Sequence, residues 1–198
     1  MKNKVLKTWE AALLISLSLA LCASCWAEAR QSSIASSLVR LHVLAHSDAA
    51  EEQALKLRVR DAVLSYISPK LDGAETVAEA RTILEAEMEG IALAASSASE
   101  GRQVQVSLGQ ERYPTKAYEG FSLPAGEYES LRVILGEGEG HNWWCIVFPP
   151  VCLSAVQSEP VQAAMNKQDY AIVSNAEGWE LRFKTLELWD ELKARLEN

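Results

Sequence analysis

From residue 38 to residue 45 apolar and polar positions alternate, with Leu41, Val43 and Ala45 on one side and Arg40, His42 and Leu44 on the other. A period of two is that of a strand. Ser47 and Asp48 stop it, and Glu51 follows Asp48 at capping-box spacing, which predicts a helix start. That helix runs to about residue 67. Leu55, Val59, Ala62, Val63 and Tyr66 share one face, while Glu52, Lys56 and Arg60 occupy much of the rest. Pro69 and Gly73 end it. A second helix is predicted from Thr76, with Glu79 again three residues on. Its apolar stripe is Val77, Ala80, Leu84, Met88, Ile91 and Ala95, and residues 96–101 close it.

Val104, Val106 and Leu108 restart the alternation as a second strand, followed by an irregular stretch over 112–127 with Pro114, Gly120, Pro124 and Gly126. Residues 128–135 read as a third strand and 143–148 as a fourth. The fourth is apolar on both faces, which predicts a central position or cover on both sides. Between them stands Gly136-Glu137-Gly138-Glu139-Gly140. A phosphate-binding loop would be followed by a helix and would not carry two carboxylates, so this run predicts a hairpin turn. Beyond Cys152 the pattern weakens. Residues 154–166 read as a loop or short helix, 170–173 as a brief strand, and 186–196 as an amphipathic helix with Leu186, Trp189, Leu192 and Leu196 inward. The order of elements predicts an α+β fold: a mainly antiparallel sheet of about four strands with two helices on one face, plus a C-terminal helix.

The N-terminus changes this picture. Lys2, Lys4 and Lys7 precede an apolar run over 11–21, and Ala27-Glu28-Ala29 is a small-x-small site. Residues 1–29 therefore read as a signal peptide. An uncleaved anchor and a lipid-modified Cys22 stay open as alternatives. Residues 30–37 are then a flexible leader, 38–155 the α+β core domain and 156–198 a C-terminal extension.

The net charge of −8, with no Lys/Arg cluster past the N-terminus, argues against nucleic acid and against an anionic lipid surface as the main docking site. Removing the leader segment leaves Cys145 and Cys152 in an oxidising setting. The Pro149-Pro150 turn between them predicts a disulfide, against the alternative of two buried thiols.

Candidate chemistry is sparse. His42 and His46 are four apart, which on a strand separates them by ~13 Å, too far to share a metal. Cys145 near His141 could suggest a thiol nucleophile, but it lies in an apolar strand where no base would hold a thiolate. No cofactor, metal or small-molecule substrate is expected. The distinctive segment is 113–152, where Tyr118, Tyr128, Trp143, Trp144 and Phe148 stand among prolines. Adjacent tryptophans on a strand face opposite ways: either both are core residues, or one is left exposed, and an aromatic held rigid at a surface loses little entropy on docking.

This chain resembles the stage II sporulation protein R family of endospore-forming bacteria. The resemblance rests on Val39-Arg40-Leu41-His42-Val43-Leu44-Ala45-His46-Ser47-Asp48, Gln53 to Lys56, Val59-Arg60-Asp61-Ala62-Val63 and Tyr113-Pro114-Thr115-Lys116. It continues through Leu123-Pro124-Ala125-Gly126-Glu127-Tyr128, Gly136 to Cys145 with its Asn142-Trp143-Trp144-Cys145, and Phe148-Pro149-Pro150-Val151-Cys152. His46 and His141 depart from the usual family pattern. The resemblance implies no enzyme. It implies a protein exported into the space between forespore and mother cell, where it activates a membrane-embedded aspartic protease that processes the pro-form of sigma-E. Lys116, Tyr118, Glu127, Asn142, Trp143 and Trp144 are the candidate partner contacts. The competing readings are a secreted cell-envelope hydrolase of unrecognised type and a structural envelope lipoprotein held by Cys22.

Overall fold

The structure, a computed structural model, describes residues 7–118, 121–149 and 158–174. In chain order its elements are helix α1 (Thr8–Ala35), strand β1 (Val39–Leu44) and helices α2 (Ala50–Leu71), α3 (Val77–Ala86) and α4 (Met88–Ala98). Strands β2 (Val104–Tyr113), β3 (Lys116–Tyr118), β4 (Phe121–Leu123), β5 (Gly126–Leu135) and β6 (Asn142–Phe148) follow, then helices α5 (Ser158–Ala164) and α6 (Lys167–Ser174).

All six residues of β1 are buried, and a strand covered on both faces belongs inside a sheet. The four-stranded order is β2-β5-β1-β6, antiparallel except for the β5–β1 pair; β3 and β4 form a small antiparallel pair of their own. The fold is therefore α+β with a mainly antiparallel sheet. On one face Leu41, Val43, Leu131, Val133 and Val147 meet Leu55, Val59 and Val63 of α2, Ala80 and Leu84 of α3, and Ile91 and Ala95 of α4. The other face is also covered. Ile34 and Ala35 at the end of α1, Phe121, Leu123, and Val161, Met165, Ile172 and Val173 close over Tyr113, Tyr128 and Ile146.

The hairpin expected at residues 136–140 is not there, because β1 is inserted between β5 and β6. The glycine run instead crosses the end of β1: Gly140 N donates to Ala45 O at 3.0 Å and Glu139 N to His46 O at 3.3 Å. Gly136 and Gly138 hold φ of 57° and 69°, left-handed values that cost a residue with a Cβ about 1 kcal/mol or more. β6 consequently lies at an edge of this sheet and not at its centre. Its second half, Ile146 to Phe148, is buried on both sides, as its composition predicts, while Asn142 and Trp143 are exposed.

Other expectations yield to long-range packing. The single helix from Thr76 is two, broken at Glu87, whose carboxylate accepts from Tyr66 Oη at 2.6 Å and Lys70 Nζ at 2.9 Å. The Thr76 cap holds, its hydroxyl accepting from Glu79 N at 3.2 Å. Asp48 does not cap α2; it accepts from His141 N at 2.6 Å and pairs with the His141 ring. Helix α2 runs through Pro69 because Leu71, 1% exposed, is drawn into the core. Lys56 is buried, its ammonium donating to Gln53 Oε1 at 2.6 Å and His141 O at 2.7 Å.

Residues 30–37 are not a loose leader. Helix α1 carries on to Ala35, and Asp169, fully buried in α6, accepts from Ser33 Oγ at 2.5 Å and pairs with Arg30 at 3.3 Å. Residues 170–173 are helical within α6 and not a strand, since Ile172 and Val173 turn the same way onto the sheet. The helix expected at 186–196 lies outside the described residues. Helix α1 is long and apolar enough to cross a membrane, and its position at the N-terminus fits a signal sequence equally.

Candidate functional site

Alternation along β1 puts Arg40 and His42 on the face away from α2–α4, where a polar pair has to find partners. Other strands supply them: β2 and β6 for His42, β3 for Arg40. His42 Nδ1 meets Glu111 Oε1 at 2.8 Å and Nε2 meets Asn142 Oδ1 at 2.9 Å. Glu111 also accepts from Ser130 Oγ at 2.8 Å, which in turn meets Tyr113 Oη at 2.6 Å, and Arg132 Nε lies 3.6 Å from the same carboxylate. Glu111 requires the proton on His42 Nδ1. Asn142 can then accept from a charged ring or, with its amide turned over, donate to a neutral one.

Arg40 is fully buried beside this network. Its guanidinium carbon is 3.8 Å from the Tyr113 ring centre and 4.9 Å from that of Tyr128, and Nη2 donates to Tyr118 Oη at 2.9 Å. Tyr118 stacks on Phe121 with centres 5.0 Å apart. Trp144 packs 5.8 Å from His42 and 6.1 Å from Tyr113, with Lys116 Nζ 5.7 Å above its own ring.

The structure thus brings Lys116, Tyr118, Asn142 and Trp144 to one face. Trp143 lies on the opposite face, 37% exposed, with the Arg60 guanidinium 4.4 Å over its ring. Glu127, exposed on β5, stands across from Arg112 in the β2 register and joins neither group. Cys145 is half-buried on the helix-facing side of β6; Cys152, and with it the expected pairing, lies outside the described residues. Arg40, Glu111, Tyr113 and Ser130 were not singled out by the sequence. The signal available was a strand carrying Arg and His on a face that turns out to be covered.

Nucleophilic catalysis needs the base on the nucleophile. Here His42 and Ser130 both bind Glu111 and not each other, so the His-on-Ser contact of a hydrolase triad is not made by this pair. The histidines have separate duties as well, His46 Nδ1 accepting from Glu137 N at 3.1 Å.

Burial pushes the Tyr113 and Tyr128 phenols well above the ordinary 10.0, and Tyr118 upward too. The fold keeps these protons longer than the unfolded chain does. Its stabilisation by neutral phenols is therefore complete below pH 10 and is lost as the pH climbs above it. Urea unfolding of the full chain between pH 9 and 12 is expected to show falling stability, and Tyr128→Phe to flatten the slope by about 1.4 kcal/mol per pH unit. An unchanged slope in that variant would place the titration elsewhere.

The stage II sporulation protein R family model matches residues 35–158. The stage II sporulation protein R of Bacillus subtilis (strain 168) is 33% identical over 147 residues, which are 69% of this chain and 66% of that protein. The chain thus spans just under two thirds of that relative's length. No solved structure matches it.

Proposed function

This chain belongs to the stage II sporulation protein R family, and from that premise we propose that it is an exported signalling ligand. It docks on a membrane-embedded aspartic protease, in the space between forespore and mother cell, and activates processing of the pro-form of sigma-E. It performs no reaction itself. The observation that supports docking most directly is Trp143, a large aromatic left at the surface of the edge strand and held by Arg60. Rigid aromatics of this kind anchor protein interfaces. Activation then requires that the ligand bind the active state of the protease more tightly than the resting one. The apolar helix α1 is compatible with export, whether as a signal peptide or as an anchor.

The test is co-production of the full chain with the protease and its pro-sigma-E substrate in a host that does not sporulate. Processing is expected only when this chain is present. Equal processing in its absence would remove the proposal.

We propose further that Cys145 pairs with Cys152. The Cys145→Ser, Cys152→Ser double variant is then expected to lose about 2.5 kcal/mol of stability. Identical melting of the parent protein with and without reductant would show that no such bond contributes.

A further inference from the structure

A cation buried without a counter-ion is costly, and aromatic faces over it offset only part of that cost. Arg40 is in this position. It is fully buried, its Nε and Nη1 N–H groups have no acceptor, and Nη2 has only the neutral Tyr118 hydroxyl. Glu111, on the same face, is committed to His42, Ser130 and Arg132. A guanidinium against two tyrosine rings with unused donors is suited to a flat anion, because a carboxylate accepts bidentately from the planar fork.

Access is short. Tyr118 and Lys116 alternate onto the same side of β3, both partly exposed, and the Tyr118 hydroxyl bonds Arg40, so among the described residues Tyr118 links Arg40 to the surface. Lys116, its ammonium 5.7 Å over the Trp144 ring, adds a second positive charge on the same side in a chain whose net charge is −8. From this geometry we propose that Arg40 is the base of a carboxylate-binding site, in which an acidic side chain of a partner protein displaces the Tyr118 hydroxyl. The identity of that partner rests on the docking reading above; the site itself does not.

The test uses the full chain, labelled with 15N-arginine, in detergent micelles. The probe is N-acetyl-glutamic acid α-amide, which carries one free carboxylate, and the control is the corresponding neutral glutamine compound. The Arg40 Nε–H signal, assigned by its loss in Arg40→Lys, is expected to move saturably with the acidic probe alone, at about 1–10 mM. Tyr118→Phe, which removes the competing acceptor, should tighten binding several-fold and keeps the aromatic packing if Arg40→Lys fails to fold. No saturable shift, an equal shift with the neutral control, or a response confined to phosphatidylglycerol added to the micelles would each overturn the proposal. In the processing assay Arg40→Lys is expected to lose at least tenfold. Should the parent chain itself drive no processing, the docking reading falls while the probe titration still decides the site.

Discussion

Gly140→Ala is expected to lower the stability of this protein by about 3 kcal/mol, a fall in Tm of about 6–12 °C. A Cβ at this position would stand 2.6 Å from the Ser47 carbonyl carbon, closer still to its oxygen, and 2.9 Å from Ala45 Cβ. Backbone is the obstacle, so a rotamer change cannot relieve it. Nor can the loop back away, since Gly140 N is bonded to Ala45 O, Glu139 N to His46 O, and the buried Lys56 ammonium holds His141 O. Had the glycine run been a hairpin between adjacent strands, the same methyl group would project into water and cost little. Gly73→Ala, where nothing lies within 4 Å, is the matched control and should be near neutral. Thermal unfolding of the two variants side by side decides the matter, and equal melting temperatures would mean that the loop does not clasp the end of β1.

That loop also shows where sequence reading succeeds and where it stops. The alternation in β1, the stripe of α2 and the Thr76 cap are local, and the structure keeps them because local preference and packing agree. Opposite orientation of Trp143 and Trp144 follows from the pleat alone. Strand order does not. Residues 136–140 have the same turn chemistry whether they join neighbours or step over a third strand, and what selects the second is β1, about ninety residues away, requiring cover on both sides. The break at Glu87 is likewise set by Tyr66 and Lys70 of another helix. Four apolar-rich residues at 170–173 fit a strand or a turn of helix equally well, and only their shared contact with the sheet decides. The polar face is the deepest case. Arg40 and His42 are legible as the outward side of a strand, but their partners Glu111, Tyr113, Tyr118 and Ser130 come from three other strands, and no spacing along the chain announces that they converge.

The convergence separates two kinds of aromatic residue that look alike in the sequence, and the second large prediction turns on it. Trp144 is built into the network of His42, Tyr113 and Lys116, so its removal damages the fold. Trp143 has a single cation over one ring face and solvent on much of the rest. Arg60 also pairs with Asp61 at 2.6 Å, and a cation already stacked on the indole before any partner arrives spares part of the ordering cost of binding. Trp143→Ala is therefore expected to leave Tm within a few degrees of the parent while cutting pro-sigma-E processing by about 30-fold or more, the effect of losing an interface anchor of about 2 kcal/mol. Trp144→Ala should lose stability and activity together. The pair discriminates: a structural role for Trp143 would make its activity loss track its melting temperature, whereas a docking role uncouples them. Full processing by a stable Trp143→Ala protein would remove the edge strand's exposed end from the contact surface and leave only the Lys116–Tyr118 side of the sheet.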